Sequence, residues 1–248
     1  MIYGLDCHAG YGVIDWDKVA ASGVRFVWHK CTEGNQGNGK YVDAQYKRNV
    51  AECKRVGIVS GAYHFAFPLP EDGVNKFRSP KEQALIAFTN SGGLGSQPGD
   101  LSPALDLEWP PPNEWKKWGV TAKDIADWGK EYVLEATALW GRKPILYLYP
   151  DFTRQLYAGG ADLSWASSLD LWFANYSHPG EGHPAPGKNP PLLSWVSKTW
   201  NDWAVWQYSA DGSTVKVPGI VAKAVDRNVI KDEPTLARLQ GLEYIELG

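Results

Sequence analysis

No stretch of this 248-residue chain reaches the roughly 18 uninterrupted apolar residues that a membrane-crossing helix needs, so no membrane insertion is expected. The opening run Met1-Ile2-Tyr3-Gly4-Leu5-Asp6 has no basic segment and no apolar segment, and so does not read as a secretory signal peptide. Cysteine is scarce. Cys7, Cys31 and Cys53 are odd in number and lack framework spacing, which argues against a disulfide scaffold. Cys7, His8, His29 and Cys31 match no zinc pattern, and neighbouring strand residues such as Cys7 and His8 point apart, so neither metal nor cofactor is expected. A strong charge of one sign is missing as well. A formal net charge of −3 gives nucleic acid or an anionic membrane no bulk electrostatic reason to bind. There is no internal repeat and no low-complexity linker, so residues 1–248 are read as a single domain.

Aromatic residues are plentiful. The 13 Trp and 12 Tyr are the unusual feature: many can be core, but flat rings also suit a cleft that covers the apolar faces of sugars. Short apolar runs punctuated by Gly and helix caps place strands at Ile2 to Cys7, Val24 to Cys31, Ile58 to Phe65, the run around Ala104 to Glu108, and Pro144 to Tyr149. Further strands are expected at 169–176, 204–208 and 222–226. Asp15, Ser79-Pro80-Lys81-Glu82 and Thr121-Ala122-Lys123-Asp124 are helix starts, and Gly23, Gly57, Gly92 and Gly141 are stops. The Pro/Gly-rich stretch 178–191 reads as an excursion loop, and 233–246 as a short C-terminal helix packed on a body of residues 2–230. The pattern is α/β: an irregular β/α barrel of about five βα units followed by three strands. In such barrels chemistry collects at the C-terminal ends of the strands. Asp6, Glu33, His64, Asp106, Glu108, Tyr149, Tyr176, Gln207 and Asp226 all fall at or near predicted strand ends.

The most informative stretch is Ala104-Leu105-Asp106-Leu107-Glu108-Trp109, closed by Pro110-Pro111-Pro112. Residues two apart in a strand share a side, so Asp106 and Glu108 lie together while Leu105 and Leu107 turn to the core. Two adjacent carboxyls raise the pKa of one of them and yield a proton donor beside an ionised partner. That pairing suits cleavage of a glycosidic bond, which needs an acid at the leaving oxygen and stabilisation of a positive sugar carbon. Asp106 could act as a direct nucleophile or orient a substrate N-acetyl group that attacks instead; the backbone spacing leaves both open. Trp109, Trp115 and Trp118 on the following loop are either sugar-stacking residues or a hydrophobic plug, and Trp195, Trp200, Trp203 and Trp206 divide the same way.

Several motifs in order resemble glycoside hydrolase family 25, the muramidases of phage endolysins and of bacterial and fungal wall-lytic enzymes. They are Tyr3-Gly4-Leu5-Asp6, Ile14-Asp15-Trp16, Lys30-Cys31-Thr32-Glu33-Gly34, Gly61-Ala62-Tyr63-His64-Phe65, Leu105-Asp106-Leu107-Glu108, Leu171-Trp172-Phe173-Ala174-Asn175-Tyr176, Trp206-Gln207-Tyr208 and Val225-Asp226-Arg227-Asn228. The resemblance spans about residues 2 to 230. It implies a barrel of the five-plus-three kind, with Glu108 as general acid, Asp106 as the carboxylate working beside it, and Asp6 and Asp226 as further acids on the cleft floor. Glu33, Tyr63, Trp206 and Gln207 fall at positions near the substrate; Trp109, Tyr149 and Tyr176 join them on their place in the strand pattern. The family implies retention at the sugar carbon and peptidoglycan glycan strands as substrate. Where the family carries a small hydroxyl residue two after its first Asp, this chain has His8. Tyr11 and Trp28 are also bulkier than the family pattern.

The reading is therefore a monomeric N-acetylmuramidase without a separate wall-binding module, made in the cytoplasm and let out to the wall by a holin or by lysis. A chitinase-like hydrolase shares the Asp-x-Glu strand end, but its longer run of spaced acids is absent before Asp106. A catalytically silent sugar-binding barrel is the other alternative, and the intact set Asp6, Asp106, Glu108 and Asp226 speaks against it.

Overall fold

A computed structural model of the chain describes residues 1–34, 41–70, 79–176, 196–210 and 216–244. Strand β1 (Ile2–Cys7) pairs in parallel with β2 (Phe26–Glu33), which pairs in parallel with β4 (Val59–Phe65). The parallel order continues through β5 (Ala104–Asp106), β6 (Ile145–Leu148), β7 (Leu171–Ala174) and β8 (Val205–Ser209). Strand β9 (Asp226–Ile230) then runs antiparallel to both β8 and β1 and closes the barrel. The two-residue β3 (Tyr41–Val42) is a flap folded back on the end of β2, outside the ring.

Helices cover one side of this barrel. They are α1 (Trp16–Ala21), α2 (Tyr46–Val56), α3 (Pro80–Ser91), α4 (Trp115–Trp118), α5 (Ala122–Trp140) and α6 (Pro150–Ala158). Among the described residues, α7 (Glu233–Leu239) is the one α-helix after β7. The five-plus-three pattern thus stands. The local causes are visible. Asp15 Oδ1 accepts from the Lys18 N–H to start α1, and Thr121 and Asp124 form a reciprocal capping box on α5. The stripe Ile125, Trp128, Tyr132, Ala136 and Trp140 buries α5 against the sheet together with Leu105, Leu107 and Phe152.

The barrel interior is filled by rings. Trp28 and Trp172 lie 5.0 Å apart, Tyr147 packs edge-on to Trp172 at 5.1 Å, and Phe26 packs edge-on to Trp28 at 5.5 Å. Space for them comes from glycine. A Cβ on Gly4 would sit 2.3 Å from the Phe26 ring, and one on Gly61 would sit 2.5 Å from the Trp28 indole nitrogen. At the N-terminal mouth, Leu236 and Leu239 of α7 join the interior cluster and plug it. The Leu239 carbonyl accepts from the Ser102 N–H and from Arg142, which fixes the plug to the barrel floor. With that end closed, the cleft opens at the other, where the parallel strands end.

Three expectations shift. The last strand is not 222–226 but Asp226–Ile230, so Asp226 begins a strand instead of ending one. Because β9 is antiparallel, its first residue still reaches the rim where β1 ends, with Asp226 paired to Asp6. The C-terminal helix stops at Leu239, where Gln240 caps it, not at 246. Ser79 occupies the N-cap of α3 without a side-chain cap bond, so Pro80 at the first helical turn does the starting. The excursion loop expected at 178–191 and Trp195 lie outside the described residues.

Candidate active site

Period-two alternation brings the acids together. Gly4 and Asp6 of β1 face inward, as do Trp28 and Lys30 of β2, Gly61 and Tyr63 of β4, and Ala104 and Asp106 of β5. Glu108 follows two residues beyond Asp106, on the same side, while Leu105 and Leu107 are fully buried on the other. The result is a cavity of about 280 Å³ at the C-terminal rim, lined by Asp6, Asp106, Glu108 and Asp226. Tyr63, Tyr147, Trp172, Tyr176 and Gln207 form its walls, with Phe65, His8 and Lys30 on the β1–β2 side.

A directed hydrogen-bond network holds Asp6. The Gln207 amide oxygen accepts from the Tyr147 hydroxyl at 3.0 Å and from the Tyr176 hydroxyl, and its Nε2 donates to Asp6 at 2.9 Å. Asn228 Oδ1 accepts the Trp172 indole N–H at 2.8 Å, so its Nδ2 donates to the same Asp6 oxygen at 2.6 Å. An indole can only donate, which fixes the orientation of the Asn228 amide. Asp226 is held differently. Tyr11 donates its hydroxyl to Asp226 Oδ2 at 2.6 Å and accepts the Asp226 N–H at 2.8 Å.

The electrostatics follow from four carboxyls sharing one small cavity. Burial, with the charge of Asp226, lifts Glu108 from 4.5 to about 7, and Lys30 opposes the rise. Burial pushes Asp106 well above the carboxylate range, the Glu108 charge adds to it, and Lys30 again opposes. Asp6 is raised by burial and by Asp226, against the pull of its two amide donors. Asp226 rises to about 6 through burial, restrained by Tyr11. These acids hold protons jointly, so near neutral pH the site contains both proton donors and carboxylates. Asp106 Oδ1 is buried and has no hydrogen-bond partner among the described residues. An acceptor left like this invites a donor from a ligand.

The remaining sequence candidates fall outside the cavity lining. Glu33, at the end of β2, is ion-paired to the cavity-lining Lys30 and is not itself among the lining residues. Trp206 is 2% exposed and donates its indole N–H to the Asn175 carbonyl at 2.9 Å. It packs in the outer core, because adjacent strand residues face opposite sides and Gln207 takes the inner one. Trp109 stacks on Phe67 at 4.1 Å and tilts against Trp118 at 5.0 Å, and Trp115 donates to the Pro110 carbonyl, so the loop is held by its own rings. Tyr149 caps α6, half-buried beside Phe152. Trp200 and Trp203 are core. His64 is wedged between Thr32 and Gln83, and burial lowers its pKa to about 4, so it is a structural residue. Lys30, Tyr147, Trp172 and Asn228 were not assigned to the site from sequence. Strand parity with Asp6, Asp106 and Gln207 is the signal that would have found them.

A β/α barrel whose strand ends gather a carboxyl pair and two further acids in a small polar cleft defines a class, the glycoside hydrolases. Residues 5–217 match the model of the family described as glycosyl hydrolases family 25, and the chain belongs to that family. Over 97% of its length it is 28% identical to lysozyme M1 of Streptomyces globisporus, covering 71% of that protein. It is 27% identical to the N,O-diacetylmuramidase of a Chalaropsis species over 61% of this chain and 67% of the relative. A bacterial lysozyme from Streptomyces coelicolor superimposes with a TM-score of 0.74 at 26% identity, covering 97% of this chain and 96% of the other. The chain is thus a glycoside hydrolase of the lysozyme type. No helix among the described residues is long and apolar enough to cross a membrane.

Proposed function

We propose that the chain is an N-acetylmuramidase, hydrolysing the β-1,4 bond between N-acetylmuramic acid and N-acetylglucosamine in peptidoglycan. The observation that carries the reading is the enclosure of Asp106 and Glu108 with Asp6 and Asp226 in one cleft, with Glu108 raised to about 7. Glu108 gives its proton to the glycosidic oxygen as the bond from that oxygen to the sugar carbon breaks. The substrate's acetamido oxygen attacks the same carbon, and Asp106 accepts the acetamido N–H through its unpartnered oxygen. The ionised Glu108 then takes a proton from water, which adds at the carbon as the bond from that carbon to the acetamido oxygen breaks, with retained configuration. Asp226, titrating at about 6, supplies negative charge that stabilises the positive charge developing meanwhile.

The same reading has the protein work as a monomer on glycan strands, reaching the wall after release by a holin or by lysis. The relatives named above are a lysozyme and a muramidase, which supports the substrate. The test is clearing of purified cell walls by the wild type and by Glu108→Gln, with the new reducing ends identified. Wild-type clearing with muramic acid at those ends, lost in the variant, is expected. Glucosamine ends would instead support a chitinase-like specificity, and equal clearing by the variant would remove Glu108 from its role.

A further inference from the structure

The acids of the cleft take up its floor, while the corner between β1 and β2 carries two donors, His8 and Lys30. In the parallel register Cys7 faces His29, so the next residue, His8, comes level with Lys30 just past the end of β1. Both side chains line the cavity. His8 is held in place. Its Nδ1 accepts the Gly10 N–H at 3.1 Å, and its ring packs on Tyr11 at 4.6 Å. A Cβ on Gly10 would come within 2.4 Å of the ring, so the glycine is what allows the imidazole to fold down on the backbone. Because Nδ1 accepts, the proton of the neutral ring is on Nε2, which has no acceptor among the described residues. Burial, then the Lys30 charge, lowers the His8 pKa below 6.5, so the ring is neutral at neutral pH. Lys30 lies 4.7 Å above the Phe65 ring and is tied to Glu33. Of its three ammonium protons, that ion pair uses one.

We propose that His8 Nε2–H and the Lys30 ammonium form a fixed donor corner that binds the carboxyl group of the O3-lactyl ether of muramic acid. The inference rests on the muramidase reading and deepens it. Lys30 is the cation among the described residues lining this acidic cleft, so an acidic or carbonyl-bearing substituent is best placed beside it. Unsubstituted N-acetylglucosamine offers nothing there, and its site would leave a donor pair unpaired. Discrimination between two sugars that differ in one substituent is strongest when a site is built to hydrogen-bond that substituent. His8 is then a specificity-determining residue, distinct from the acids that do the chemistry.

The experiment measures binding by calorimetry in the Glu108→Gln background, so that no sugar is cleaved. The ligands are the disaccharide of N-acetylglucosamine and N-acetylmuramic acid, with a free lactyl carboxylate, and chitobiose. The parent should bind the muramyl disaccharide roughly tenfold more tightly, the value of one charge-assisted hydrogen bond. His8→Ala should erase most of that preference, lowering affinity for the muramyl disaccharide far more than for chitobiose, and His8→Gln, which keeps an N–H at similar reach, should recover part of it. Retained chitobiose binding also reports an intact fold. Absence of preference in the parent, or weakening of both sugars alike, or of neither, overturns the proposal. Failure of the muramidase reading is separate: it would show as a wild type that clears no wall.

Discussion

Replacing Glu108 with Gln should make the protein inactive and more stable at the same time, and the gain should depend on pH in a defined way. Burial beside Asp226 holds the Glu108 carboxyl at about 7 instead of 4.5. A carboxyl raised on folding favours the native state fully below its unfolded value. That contribution is lost as pH rises through the folded value. At roughly 1.4 kcal/mol per pH unit of difference, the ionised site costs about 3 kcal/mol above pH 7. Gln keeps the shape without the charge. The variant should therefore melt close to wild type at pH 4 and about 6–12 °C higher at pH 8, using the usual 2–4 °C per kcal/mol for a chain of this size. Its wall-clearing rate should fall by about 100-fold or more, the usual contribution of a general acid. Thermal melts of both proteins across pH 4 to 8, paired with turbidity assays, measure the two effects together. Melting curves that shift in parallel with pH would refute the claim that Glu108 is held protonated by its surroundings.

Three other substitutions probe the supports. Tyr11→Phe removes the donor to Asp226 Oδ2 and strands the Asp226 N–H, so urea denaturation should show a loss of about 1–3 kcal/mol, with Asp226 titrating above its present value of about 6. Gly61→Ala drives a methyl to 2.5 Å from the Trp28 indole and 2.9 Å from Leu101, and should lower the urea midpoint by an amount worth about 1–3 kcal/mol. Trp109→Ala should cost at least the roughly 0.5–1.5 kcal/mol of its stacking on Phe67 in thermal melts, whereas unchanged stability would free the ring for a sugar contact alone.

The barrel was legible because its signals are local and repeated. Helix caps such as Thr121 with Asp124, stops such as Gly57 and Gly141, and short apolar runs need no knowledge of the partner strand. The gathering of Asp6, Asp106, Glu108 and Asp226 was legible because strand ends in such a barrel share one rim. The direction of the last strand was not, since Asp226 reaches that rim by starting an antiparallel strand and sequence periodicity carries no sense of direction. Trp206 and Gln207 were taken as a pair, although alternation forces neighbours to opposite faces: one lines the cleft and the other supports it from behind. The polarity of the Asp6 network was out of reach for another reason. It depends on Trp172, 56 residues before Asn228, turning that amide so that its nitrogen meets Asp6, and on Tyr147, 60 residues before Gln207, bonding the other amide's oxygen.

The central claim is that Glu108 keeps a proton near neutral pH because it is buried among other acids. Carbon-13 NMR of protein labelled at glutamate carboxyl carbons measures this directly, with Glu108→Gln identifying the signal. The account predicts one resonance, missing from the variant, that titrates near 7. A Glu108 resonance titrating at about 4.5 with the exposed glutamates would contradict it.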